Sequence, residues 1–186
     1  MSLPTQRILV PVRGGDLAVF QYGNGSGEPV LLVHGVTSSN RAFQLFADAL
    51  IARGKAPFAV DLRGRGDSNS LPAPFGMKQH AEDMATVIDH FGWSKPDVIG
   101  HSMGGLLARA SLPALVAHAP MHLIMLASPS RPPRLAPLAQ HNPIYRYFTN
   151  DCGQRVVTAE FYKSLPKPNI PTTIIAGTGG PRSKWF

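Results

Sequence analysis

Acidic side chains run out before the chain does: after Glu160 there is no Asp, Glu or His through Phe186. Cysteine is almost absent as well. Cys152 stands alone, which excludes an internal disulfide and favours a reducing compartment. No apolar run approaches the roughly 20 residues of a membrane span. The first residues, Met1-Ser2-Leu3-Pro4-Thr5-Gln6-Arg7, lack the apolar stretch of a signal peptide, so a cytoplasmic chain is expected. The formal charge is +7. Its Lys and Arg residues are nevertheless dispersed, with no basic run and no interleaved aromatic motif, which argues against a nucleic-acid partner. Part of the excess is the acid-free stretch itself, which holds Lys163, Lys167, Arg182 and Lys184. His118 and His122 have the i, i+4 spacing of a metal pair, but Pro120 between them breaks a continuous helix, and no metal or cofactor is expected.

What is present fits one domain of 186 residues, 44% of them hydrophobic. Arg7–Arg13 and Asp16–Tyr22 flank Gly14-Gly15 and read as a β-hairpin. Three short apolar runs follow: Pro29–Val33, Ala56–Val60 and Asp97–Ile99. Uninterrupted runs of this kind suit strands covered on both faces. Between them, residues 40–53 place Phe43, Phe46, Ala47 and Leu50 at helical spacing, and Met77–Phe91 does the same with Met84, Ile88 and Phe91. Met121–Ala127 and Pro171–Ala176 read as two later strands. The alternation predicts an α/β fold, a mostly parallel sheet with helices on both faces and an antiparallel hairpin at its start. Ser128 to Pro143 is Pro-rich, and residues 128–165 are expected to form a lid or rim excursion within the single domain 1–186.

The chemistry concentrates at three strand ends. The first run ends in His34-Gly35, the second in Asp61-Leu62-Arg63-Gly64-Arg65-Gly66-Asp67-Ser68, the third in Gly100-His101-Ser102-Met103-Gly104. The last has the G-x-S-x-G form of a nucleophile elbow, a strand-to-helix turn that holds a serine exposed. Such a turn crowds strand and helix together, so the positions two before and two after the serine must lack side chains. These three motifs, in this order, closely resemble the α/β-hydrolase fold family over residues 7 to 130. Within that context Arg65-Gly66-Asp67 reads as turn chemistry rather than an adhesion tripeptide.

The resemblance implies roles residue by residue. Ser102 matches the nucleophile, and the N–H of Met103 matches one oxyanion-hole donor. The second donor is expected from the loop after His34-Gly35, at Val36. His34, Gly35 and His101 are expected to pack or shape the pocket. The resemblance also implies an acid after a late strand and a histidine after the last one, and neither follows Pro171–Ala176. Among the in-chain histidines His141 is the best base, with Asp151 (or Glu160) to orient it; a solvated loop histidine is the plainer reading of His141. A shortened sheet also leaves an edge strand that two copies of the chain are expected to cover by association.

Serine at the elbow implies acyl transfer, since relatives that open epoxides or displace halide carry Asp there. A small carboxylic ester turned over through an acyl-Ser102 intermediate, by a carboxylesterase or small lipase, is the expected activity. Serine-dependent C–C hydrolases, perhydrolases and hydroxynitrile lyases share the elbow. In the competing class the chain is an incomplete hydrolase scaffold that binds a ligand or partner without turnover.

Overall fold

A computed structural model describes residues 4–118, 120–132, 154 and 156–177. Strands β1 (Gln6–Val12), β2 (Gly15–Gln21), β3 (Glu28–Val33), β4 (Lys55–Val60), β5 (Asp97–His101), β6 (His122–Leu126) and β7 (Thr172–Ile175) form one sheet. Its order is β1-β2-β4-β3-β5-β6-β7. β1 pairs antiparallel with β2, and β2 antiparallel with β4. From β4 through β3, β5 and β6 to β7 every pairing is parallel. The helices are α1 (Gln44–Ile51), α2 (Met77–His90), α3 (Met103–Ser111) and α4 (Ala159–Ser164).

Side chains alternate between the faces of a strand, so each buried strand feeds two cores. Leu31 and Val33 of β3, with Phe58 and Val60 of β4, join Met84, Val87 and Ile88 of α2 and Leu106 and Leu107 of α3. Val30 and Leu32, with Ala59 and Ile99, pack on the other face against Phe43 and Ala47. Both faces are therefore covered, as the apolar runs predict. The segment 40–53 differs in detail: a 3-10 turn over Asn40–Phe43 precedes α1. The turn is tied sideways at its first residue, where the Asn40 main chain and side chain both donate to Asp61.

The far end of the 128–165 segment is packed into the core. Phe161 of α4 and Leu165 are buried against the α2–α3 side. Arg109 of α3 clamps them by donating to the carbonyls of Pro166 (2.7 Å) and Leu165 (3.3 Å). Beyond it β7 presents Ile174 and Ile175 to solvent. No helix among the described residues is long and apolar enough to cross a membrane.

Candidate active site

Ser102 sits between the last residue of β5 and the first of α3, with φ 53° and ψ −122°. A non-glycine residue held at positive φ is strained, and the surrounding structure must enforce it. Here the Ser102 N–H donates to Leu126 O (2.8 Å) and the Ser102 carbonyl accepts from Gly105 N–H (3.2 Å). Packing supplies the remainder. A Cβ on Gly100 would stand 2.4 Å from the Gly105 Cα, and one on Gly104 would stand 2.1 Å from Val33 O. Both obstacles are backbone, which cannot swing aside. The two glycines are thus a consequence of how closely α3 crosses β5 and β3.

Met103, as the first residue of α3, carries an N–H with no partner inside the helix. Among the described residues no side chain caps that helix start. Its free amides and the positive end of the helix dipole therefore face whatever binds at Ser102.

The opposite wall is the loop after β3. Gly35 lies directly against the serine: a Cβ on it would be 3.2 Å from the Ser102 Cβ. His34 is fully buried. Its Nε2 accepts the Leu62 N–H (3.0 Å), which assigns the ring proton to Nδ1, and Nδ1 donates to Gly35 O (2.6 Å). Ser38 N–H donates to the same carbonyl at 3.2 Å. Because the peptide is planar and trans, pinning Gly35 O also fixes the Val36 N–H, which points the opposite way. Burial keeps the His34 imidazole below the usual histidine value, against the opposing pull of its Gly35 bond. A neutral ring with both nitrogens engaged holds a peptide in place; it has no lone pair left for a serine proton. His101, by contrast, is exposed on the strand end.

The turn after β4 braces the loop. Asp61 is fully buried and accepts from Asn40 N–H (2.6 Å), Asn40 Nδ2 (3.0 and 3.1 Å) and Asp67 N–H (2.8 Å). Tyr22 donates to the Asn40 carbonyl at 3.2 Å, and burial followed by the Asp61 charge pushes its hydroxyl up to about 12. A Cβ on Gly66 would fall 2.0 Å from Asp61 Oδ2, so the turn closes only with glycine there. Asp67 also pairs with Arg7 across the surface (2.9 Å), so the Arg65-Gly66-Asp67 tripeptide is spent on the turn. Arg63 is buried and meets Asp83 through two bonds of 2.9 and 2.8 Å. His80 of α2 lies near this pair, with a buried Nδ1 that has no hydrogen-bond partner among the described residues. Burial pushes its ring down to about 4, overriding the upward pull of Asp83.

The structure thus brings Ser102, Met103, Gly35, Val36 and His34 together. His141 and Asp151 lie outside the described residues. Glu160 is exposed in the first turn of α4. His122 sits at the amino end of β6, with Nε2 2.8 Å from Thr173 Oγ1, on the rim away from Ser102. Sequence reasoning passed over Asn40, Arg63 and His80. The one available signal was polarity at core-facing positions: His80 falls on the same α2 stripe as Met77, Met84 and Ile88.

Residues 30–180 match the model of the Alpha/beta hydrolase family, and the chain belongs to that family. It is 38% identical over 84 residues to a soluble epoxide hydrolase of Corynebacterium sp. strain C12, covering 45% of this chain and 29% of that protein. It is 36% identical over 94 residues to the magnesium-chelatase 30 kDa subunit of Rhodobacter capsulatus, covering 50% and 33%. The chain therefore spans about a third or less of these relatives' lengths. Among solved structures, an esterase from Exiguobacterium antarcticum superposes with a TM-score of 0.70 at 19% identity, over 91% of this chain and 80% of that one. An epoxide hydrolase from an endophytic Streptomyces gives 0.60 at 26% identity, over 76% and 42%.

Proposed function

We propose that this chain supplies the nucleophile and oxyanion hole of a serine hydrolase that cleaves small carboxylic esters. The observation that carries the reading is the strained Ser102 at φ 53°, seated between the free N–H at the start of α3 and the Gly35–Val36 peptide. In this reading Ser102 Oγ adds to the ester carbonyl and its proton passes to a base. The Met103 and Val36 N–H groups stabilise the oxyanion, the alcohol departs with a proton, and water releases the acid from the acyl-serine. His141, oriented by Asp151, is the in-chain candidate for the base. His101, exposed beside the serine at the end of β5, is the residue assigned to shape the pocket.

Several similar proteins bear epoxide hydrolase names. Serine chemistry argues for a different reaction here. Opening an epoxide with a carboxylate leaves an ester that water can cleave, whereas opening it with a serine hydroxyl leaves an ether that water does not. An acyl-serine, by contrast, is itself an ester and turns over.

The test is hydrolysis of p-nitrophenyl acetate and butyrate, with fluorophosphonate labelling, by the chain beside its Ser102→Ala variant. Activity and labelling that vanish with Ser102 support the reading. Folded protein that neither labels nor turns over would instead be a scaffold that binds without catalysis.

A further inference from the structure

Arg65 occupies the turn after β4, yet its side chain ends on the loop after β3. Nε donates to Val36 O at 2.7 Å and Nη1 to Gly64 O at 2.7 Å. The guanidinium is delivered from a rigid base. Arg65 N–H donates to Leu62 O (2.8 Å), Arg65 O accepts from Ser68 N–H (2.8 Å), and Asp61 closes the same turn from inside. Arg65, Val36 and Met103 also line one small cavity with Leu62, Arg63, Phe75 and His80.

These bonds divide the labour at Val36. The peptide before its Cα is pinned through Gly35 O by His34 and Ser38. The peptide after it is pinned through Val36 O by Arg65. With both planes held, neither backbone torsion of Val36 is free, and the direction of its N–H is set before any substrate arrives. An oxyanion donor is valuable only when so fixed, because reorganisation during the reaction forfeits the benefit. Arginine is well matched to this role. Its Nε and Nη1 lie in one rigid plane and reach two carbonyls at once, a geometry that a lysine ammonium on a flexible stem does not hold.

We propose that Arg65 is a positioning residue for the oxyanion hole, holding the Val36 carbonyl so that the Val36 N–H stays aimed at the carbonyl oxygen of an ester bound at Ser102. This rests on the acyl-transfer reading of Ser102. The experiment measures fluorophosphonate labelling rate, and kcat and KM for p-nitrophenyl butyrate, in the parent chain and in Arg65→Met, Arg65→Lys and Arg65→Ala. Deleting an oxyanion donor outright costs roughly 100- to 1000-fold in kcat. A loosened donor should cost less, so Arg65→Met is expected to lower kcat and labelling about 10- to 100-fold with KM changed less than about threefold. Arg65→Lys should fall between, and added methylguanidinium should restore part of the Arg65→Ala rate without affecting the parent. Circular dichroism and thermal melts show whether each variant is folded; should Arg65→Met not fold, the lysine variant and the guanidinium rescue still decide. A folded Arg65→Met within twofold of the parent rate would overturn the proposal, as would a loss in every variant that only tracks the unfolded fraction. A parent chain that does not label removes the acyl-transfer reading and this inference with it, an outcome visible before any Arg65 variant is made.

Discussion

Replacing His34 with Phe removes both hydrogen bonds of the buried imidazole while an aromatic ring stays in its place. The Leu62 N–H loses its acceptor in a place where water does not reach, and a buried unsatisfied donor costs about 1–3 kcal/mol. Gly35 O loses its 2.6 Å donor but keeps Ser38 N–H, a smaller loss of about 1 kcal/mol. The sum is about 2–4 kcal/mol. For a domain of 150–250 residues that corresponds to a thermal midpoint lower by roughly 5–15 °C. Urea unfolding should show a lower midpoint at unchanged slope, since the surface exposed on unfolding barely alters. If the Val36 N–H is an oxyanion donor as proposed, labelling of Ser102 by a fluorophosphonate should slow as well, because Gly35 O belongs to the same peptide. A His34→Phe protein melting within about 1 °C of the parent and labelling at the same rate would refute the assignment of both bonds.

Two further outcomes follow from buried polar groups. His80 is pushed down to about 4, below its ordinary 6.5, so the unfolded chain binds a proton across that window that the folded chain does not. Stability is therefore complete above about pH 6.5 and is lost as pH falls toward 4, by something on the order of 3 kcal/mol; His80→Leu should flatten the acid limb of a plot of unfolding free energy against pH, and an unchanged limb would exclude His80 as its source. Arg63 and Asp83 are 1% and 2% exposed, so Arg63→Met alone strands a buried carboxylate and should cost about 3–5 kcal/mol. The pair Arg63→Met with Asp83→Leu should recover much of that loss in a denaturant titration, and a double variant no better than the single one would contradict the account.

Wherever a requirement is local, the sequence displays it. The hairpin, the buried parallel strands and the glycines of the elbow all follow from periodicity or from a clash that a Cβ would cause nearby. Gly100 meets an obstacle as local as Gly105 Cα, while Gly104 meets Val33 O far back in the chain and is legible only because the elbow motif marks it. What escaped reading spans 20 to 30 residues with no periodic trace. Asn40 and Asp61 are 21 residues apart, Arg63 and Asp83 are 20 apart, and Arg65 reaches 29 residues back to Val36. Residues 40–43 look helical on spacing alone, yet they form a 3-10 turn whose first residue is bonded to the Asp61 carboxylate. Arg65 is legible as turn chemistry, but nothing in a turn motif announces where a long side chain ends.

Strand order explains why these unreadable contacts converge on one loop. The chain runs β3, β4, β5, whereas the sheet places β3 between the other two. At that switch point the connection after β3 leaves toward one neighbour and the later strand returns on the other side, opening a crevice beyond the carboxyl ends. The loop from His34 to Asn40 must therefore run between two strand exits. From the β4 side Asp61, Leu62 and Arg65 bind it at Asn40, His34 and Val36. From the β5 side Ser102 presses against Gly35. A loop tied down by one neighbour and faced by a strained serine from the other is rigid where an oxyanion would form. The consequence is directional: changes at the β4 exit should alter the chemistry at Ser102 without touching it, whereas changes at the amino ends of the strands, such as at the partly buried Lys55–Asp97 pair, should alter stability alone.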